Sequence, residues 1–313
     1  MTTAQPGAEA LQPEEQDAGS PACVMCFNAN DATGASGLAC DIATIAAMGA
    51  HALPVVTSLL VRDSAEVMDS HEIDPDAVVD QARAVLEDMT ISSWKVGFLG
   101  SAEGVSAVAE ILSDYSDVPL VAYMPNLSWM EEDAQMAYLE AYRELIMPAT
   151  YLLVGSHKTL TDFLLPDWDA ERTPSARELA VAASELGCDH VLVTGIQLPD
   201  QFIDNVLANA QGALAGERFE RFEASFVGAG DTLSASVAAI LSSGTPLDVA
   251  VSEALSFLDQ SLDAGFRPGM GGVVPDRFFW ALPPGEEGMP GEAGALEAET
   301  SDNSPPPGKR QVH

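Results

Sequence analysis

Lysine is nearly missing from this chain: Lys95, Lys158 and Lys309 are its three copies in 313 residues. The basic side chains total 13 against 48 acidic ones, for a formal net charge of −35. Such a field repels phosphate backbones and anionic lipid, and no local basic patch offsets it, so nucleic-acid binding and peripheral membrane attachment are not expected. Long apolar runs are also lacking, and none reaches the roughly 18 residues of a membrane span. Near the start, where a signal peptide would be basic and then apolar, stand Glu14, Glu15 and Asp17. The expected setting is cytoplasmic, with a small molecule as partner.

Cysteine is scarce as well. Four residues are too few for a disulfide scaffold at this length. Cys23 and Cys26 form a C-x-x-C, but Cys40 and Cys188 are isolated, so no second zinc pair exists. A redox pair would sit at a helix start, whereas Ala22-Cys23-Val24-Met25-Cys26-Phe27 reads as a buried strand. His51, His71, His157 and His190 show no metal-ligand spacing, and Trp129, Trp168 and Trp280 read as packing residues.

What the chain does have is apolar material, 47% of its residues, enough for one large domain or two small ones. The charge lies mostly in that material: residues 1–21 and 283–313 carry −4 each, leaving −27 on 22–282. Acids spread over a folded surface with almost no lysine suit a protein kept hydrated at high ionic strength, where a short Debye length screens self-repulsion. The two ends are rich in Pro, Gly, Ala, Glu and Ser without periodicity and are expected to be disordered.

Between the ends, short apolar runs alternate with helical patterns. Strands are predicted at 24–28, 51–60, 94–99, 119–123, 150–154 and 190–194. Helices are predicted at 37–48, 75–89, 103–115, 131–147, 174–186, 231–243 and 246–264. In the fourth helix Met136, Leu139, Tyr142 and Leu145 are expected to face inward. Residues 202–226 read as two or three antiparallel strands with turns near 209–212 and at Gly216. This alternation means one α/β domain over 22–282, its mainly parallel sheet covered on both faces.

Two glycine-bearing turns could carry chemistry. In Phe226-Val227-Gly228-Ala229-Gly230-Asp231-Thr232-Leu233, small residues let the amides of 228–231 converge at a helix N-terminus, an anion cradle. An Asp there repels a phosphate it merely adjoins, yet it suits a carboxylate that takes a proton from a substrate hydroxyl. The plainer alternative is a helix-capping Asp on a glycine-rich loop. In Asn28-Ala29-Asn30-Asp31-Ala32-Thr33-Gly34-Ala35-Ser36-Gly37 neither a Walker loop nor G-x-G-x-x-G is present. There Asp31 and Asp41 either bind a polar ligand at the carboxyl edge of the sheet or form an Asx-turn and a solvated helix position.

Gly34-x-x-Gly37-Leu38-x-x-Asp41, Lys95-Val96-Gly97-Phe98-Leu99 and Gly228-Ala229-Gly230-Asp231-Thr232-Leu233 resemble the hydroxymethylpyrimidine/phosphomethylpyrimidine kinases of the ribokinase-like superfamily. Ala264-Gly265-Phe266-Arg267-Pro268-Gly269-Met270-Gly271 and Pro275-Asp276-Arg277-Phe278-Phe279-Trp280-Ala281 resemble the C-terminal end of one bacterial branch. The similarity spans about 22–282. It implies a three-layer α/β/α sandwich with a mainly parallel central sheet, and ATP- and Mg²⁺-dependent phosphorylation of a pyrimidine hydroxymethyl group and then of its monophosphate, in thiamine biosynthesis. Asp231 would be the catalytic base, with Gly228, Ala229 and Gly230 holding the phosphoryl group. Asp31, Gly34, Asp41 and Arg62 would line the acceptor pocket, and Thr194, Gly195 and Lys158 the nucleotide side. No metal ligand is assigned. Family members commonly pair as homodimers; nothing in this sequence sets the oligomeric state.

The chain departs from the family pattern in four places. The base position is often Cys in these kinases, and Asp there resembles sugar and pyridoxal kinases. The Asp-Pro-Val segment reads Tyr123-Met124-Pro125-Asn126. The Thr-Pro-Asn-x-x-Glu motif falls on Val154-Gly155-Ser156-His157-Lys158-Thr159, without its Asn or Glu. The pyrimidine-recognising Gln aligns with Arg62, whose guanidinium only donates and so cannot form the donor–acceptor pair of an amide. Two other functions therefore stand beside the leading one: a catalytically degenerate ligand-binding or regulatory relative, and a kinase for another hydroxymethyl compound such as pyridoxal.

Overall fold

The computed structural model describes residues 20–199 and 201–281. The expected disorder of 1–21 and 283–313 falls, apart from residues 20 and 21, outside the described residues.

Nine strands form one sheet: β1 Cys23–Asp31, β2 His51–Arg62, β3 Val67–Glu72, β4 Ser93–Val96, β5 Leu120–Tyr123, β6 Leu152–Ser156, β7 Val191–Gln197, β8 Phe202–Asn209 and β9 Gly212–Glu220. Their order is β3-β2-β1-β4-β5-β6-β7-β8-β9. The central six run parallel, β3 at one edge and β8 toward the other run against them, and β9 pairs antiparallel with β8. The helices are α1 Gly37–Ala47, α2 Pro75–Leu86, α3 Ala102–Ser113, α4 Glu132–Ala141, α5 His157–Leu164, α6 Ala176–Glu185, α7 Ala229–Ser242 and α8 Leu247–Asp263.

Both faces of the sheet are covered, as the strand chemistry requires. In β1, Met25, Phe27 and Ala29 enter one core with residues of α2 to α6, while Val24 and Cys26 enter the other with α1, α7 and α8. This is the three-layer α/β/α sandwich. Cys23 and Cys26 lie on a strand and are free thiols, as are Cys40 and Cys188. Helix α7 crosses the centre of the sheet, and its run of Ala and Ser lets it lie close enough for Ser93 Oγ to donate to the Ala238 carbonyl at 2.8 Å.

Several local expectations change. Helix α4 gives way to a π-helical turn, Tyr142–Ile146, and a 3₁₀ turn, Met147–Ala149. Of the four residues expected inward, Tyr142 is buried and Leu139 packs against the core, while Met136, 61% exposed, and Leu145 face out; Tyr138, Tyr142 and Ile146, spaced by four, form the buried row. Gly216 is no turn. It sits within β9 opposite Val206, where a side chain would press on the Asn205 carbonyl at 2.7 Å. The turn at 209–212 is present, with Asn209 Oδ1 accepting from the amides of Gln211 and Gly212. Strand β3 and helix α5 were not anticipated: β3 is a largely exposed edge without alternation, and α5 has only eight residues, capped by Ser156.

Candidate active site

The chain leaves β1 toward β2 on one side and β4 on the other, so the carboxyl ends of β1 and β4 flank the topological switch point, where open α/β sheets bind ligands. Asn28 ends the regular part of β1. Its Oδ1 accepts from the amides of Ala29 (2.9 Å) and Phe98 (3.0 Å). Its Nδ2 donates to Asp41 Oδ2 and Asp231 Oδ1, both at 2.9 Å. Gly97 is required alongside, because a Cβ there would overlap the Asn28 amide.

Beneath this amide, on β4, lies the fully buried Lys95. Its Nζ is 2.7 Å from Asp231 Oδ1 and 2.8 Å from Asp41 Oδ1. Burial by itself would lower the Lys95 pKa, but the two carboxylates outweigh it and hold the ammonium charged. Burial would likewise raise Asp231, yet the Lys95 charge, with hydrogen bonds from Lys95, Asn28 and the Gly37 amide (3.3 Å), holds it below the ordinary carboxylate range. For Asp41 burial prevails, and the carboxyl is pushed up to about 6.

Asp231 reaches this cluster from the first turn of α7. Gly228 caps the helix in the left-handed region (φ 82°), and a Cβ there would run into the Ala35 carbonyl. The first intrahelical bond is Thr232 N–H to the Gly228 carbonyl, 2.8 Å, so the amides of 228–231 precede the helical ladder and lie at its positive end. Gly230 lies against the Tyr123 ring with no room for a side chain.

Two cavities flank this turn. The larger, about 590 Å³, is lined by Asn28, Ser36, Arg62, Tyr123, Gly228 and Asp231 among others. Asp231 is 7% exposed there. The smaller, about 280 Å³, is bounded by Thr194, Gly195, Asn205, Ala229 and Gly230, with apolar Ile203 and Leu258. Phe226 borders both.

The remaining candidate residues divide. Arg62 lines the larger cavity, donating through Nη1 to Ser36 Oγ (3.0 Å) and through Nε to the Asp63 carbonyl (3.0 Å). Asp31 and Gly34 do not line it. Asp31 closes its own turn, accepting from Thr33 N (2.8 Å) and Oγ1 (2.7 Å) and from Ser36 N (3.0 Å) and Oγ (2.6 Å). Gly34 (φ 73°) supplies that turn's left-handed residue. Asp41 lies below the cavity floor and is inaccessible, its charge bound to Lys95. Lys158 does not join Thr194 and Gly195. Its side chain is 86% exposed and pairs with Asp162 one helical turn on, at 2.7 Å.

Two residues emerge that the sequence reading gave no role. One is Lys95. The other is Arg277, buried beside the glycine turns, which donates from Nη2 to the Ala35 carbonyl (2.6 Å), from Nη1 to the Gly34 carbonyl (3.4 Å) and from Nε to Thr232 Oγ1 (3.1 Å). Both stand in the stretches that carry the family resemblance, which was the available signal.

Comparison with known proteins bears on the family and the fold. The family model for phosphomethylpyrimidine kinase matches residues 31–276. The hydroxymethylpyrimidine/phosphomethylpyrimidine kinase of Streptomyces coelicolor is 29% identical over 266 residues, covering 84% of this chain and 96% of that protein. The enzyme of the same description from Mycobacterium tuberculosis is 30% identical over 264 residues, covering 80% and 92%. Among solved structures, an ADP complex of Bacillus subtilis pyridoxal kinase superposes with a TM-score of 0.76 at 18% identity, over 84% of this chain and 100% of that one.

Proposed function

The chain belongs to the phosphomethylpyrimidine kinase family, and on that premise we propose that it transfers the terminal phosphoryl group of ATP to the hydroxymethyl group of 4-amino-5-hydroxymethyl-2-methylpyrimidine, and then to the resulting monophosphate. One observation carries this reading: the turn 226–231 is the wall between two cavities, presenting Asp231 to the larger and Ala229 and Gly230 to the smaller. The acceptor occupies the larger cavity. The nucleotide base occupies the smaller, more apolar one.

As the acceptor oxygen attacks the terminal phosphorus, its proton passes to Asp231 and ADP departs. The amides of 228–231 meet the charge on the transferred group. Asp231 is a carboxylate before the reaction begins, since Lys95 keeps it ionised. Mg²⁺, which the resemblance implies, finds no group of three carboxylate, imidazole or thiolate ligands among the described residues. No acid lines the smaller cavity. These residues do not fit a protein-held ion. Among the described residues no helix is long and apolar enough to cross a membrane.

A second reading rests on Arg62. Its guanidinium offers the acceptor cavity donors alone, which favours a ring bearing an oxygen acceptor, such as pyridoxal, over an aminopyrimidine. A coupled ADP-release assay with the hydroxymethylpyrimidine, its monophosphate and pyridoxal, at low and high salt, tests both. Turnover of the two pyrimidines above pyridoxal is the expected result. Turnover of none, with no Mg·ATP binding by calorimetry, would leave a catalytically silent relative.

A further inference from the structure

Asp41 is an acid that the proposed reaction does not use. It is fully buried and does not line the cavity, so it cannot touch an acceptor. Yet it shares both donors that hold Asp231: Lys95 Nζ lies 2.8 Å from Asp41 and 2.7 Å from Asp231, and Asn28 Nδ2 lies 2.9 Å from each. One fully buried ammonium thus serves two carboxylates, of which only Asp231 reaches the cavity. As a stability device this is poor, because a second buried carboxylate with no cation of its own carries a desolvation penalty. One carboxylate would satisfy Lys95; the second has to be explained by what it does to the first.

We propose that Asp41 is a positioning residue for phosphoryl transfer: by holding Lys95 and Asn28 partly to itself, it keeps Asp231 a competent acceptor for the hydroxyl proton. The inference rests on the reading of Asp231 as that acceptor. Without the second carboxylate, the full Lys95 charge would fall on Asp231 and make it a weaker base, and a weaker base takes a proton less readily in the transition state.

The surroundings assign the pH response to Asp41. The other titratable or charged groups facing the cluster are Cys26 on β1, Cys40 on α1, Tyr123 at the end of β5, and Arg277. Burial pushes both thiols and the phenol up, Cys40 to about 11, so they stay neutral between pH 5 and 8. A guanidinium does not lose its proton in proteins. Lys95 is held protonated and Asp231 ionised. Asp41 alone changes charge in that range, near pH 6. Its protonation releases Lys95 to Asp231 and slows turnover.

The test measures kcat and KM from pH 5 to 9 on the full chain as wild type, Asp41→Asn and Asp231→Asn, with calorimetric nucleotide binding confirming each fold. Wild-type kcat is expected to fall on the acid side with a midpoint near 6. Asp41→Asn is expected to keep its KM, lose on the order of tenfold in kcat at pH 8, and show no acid limb. Wild-type kcat and an intact limb in Asp41→Asn, with Asp231→Asn inactive, overturn this proposal alone. Full activity in Asp231→Asn overturns the proton-acceptor role and this proposal with it. A second measurement needs neither turnover nor a folded Asp41→Asn: infrared spectra of protein labelled with ¹³C-aspartate. A protonated-carboxyl band growing in as pH falls through about 6 is expected in wild type, and only at lower pH in Asp231→Asn, where Lys95 is left to Asp41 alone. Its absence from wild type refutes the assignment.

Discussion

Arg277 and Ala35 meet through a hydrogen bond of 2.6 Å, guanidinium Nη2 to backbone carbonyl, which fastens the last segment of the body to the turn that follows β1. The same guanidinium holds Thr232 on α7. It therefore fixes the two glycine turns relative to each other, and the floor of the larger cavity depends on that spacing.

Replacing Arg277 by Met would leave two carbonyls and a buried hydroxyl without their donor. The expected loss of stability is about 2–4 kcal/mol, from one to three unsatisfied groups at the usual cost of each. Acceptor KM should rise with it, as the Gly34–Ala35 turn loosens. Arg277→Lys should rescue little, because an ammonium cannot copy the planar fork that spans three acceptors. Denaturant unfolding and steady-state kinetics check both statements.

Gly230 allows close approach to Tyr123. Gly230→Ala is expected to lower kcat at least tenfold, since the new methyl group displaces the turn that carries Asp231. Tyr123→Ala in the same chain should restore part of that loss by removing the ring the methyl meets. A double variant no better than the single one would place the fault in the turn's own backbone.

Stability should follow pH through Asp41. Its folded pKa, about 6, lies above the ordinary carboxylate value, so between pH 4 and 6 the folded chain binds a proton that the unfolded chain has lost. Its contribution to stability is therefore present at low pH, declines as pH rises through that window, and stays low above it. Asp41→Asn has no such slope. From pH 5 to pH 8 the stability difference between variant and wild type should move in the variant's favour by about 1.4 kcal/mol. Urea unfolding at the two pH values measures it.

Salt should raise the melting temperature. With −27 on residues 22–282, self-repulsion opposes the folded state until the Debye length shortens to about 10 Å, near 0.1 M. Calorimetric scans from about 0.05 to 2 M NaCl should show a steady rise. A flat profile would mean that the acids lie too far apart to repel one another appreciably.

The architecture was legible because local chemistry repeats: the buried strands are short apolar runs alternating with helical patterns, and Asp74, which accepts from the Asp76 amide at 3.0 Å, announces α2 with Pro75 behind it. Asp231 was legible as a local string. Lys95 was not, since its partners Asp41 and Asp231 stand 54 and 136 positions away and only folding brings them to one ammonium. Asp31 was legible as a choice between ligand and Asx-turn, and its four hydrogen bonds within 31–36 decide for the turn. Of the inward face of 131–147, Leu139 and Tyr142 were legible and Leu145 was not, because a helical wheel assumes 3.6 residues per turn throughout and the π turn Tyr142–Ile146 breaks that assumption.

Phe226 forms part of the boundary of two chambers at once. A tilt of this ring that widens one cavity narrows the other, so on the proposed reading the acceptor and the nucleotide base would share one phenyl group as their partition.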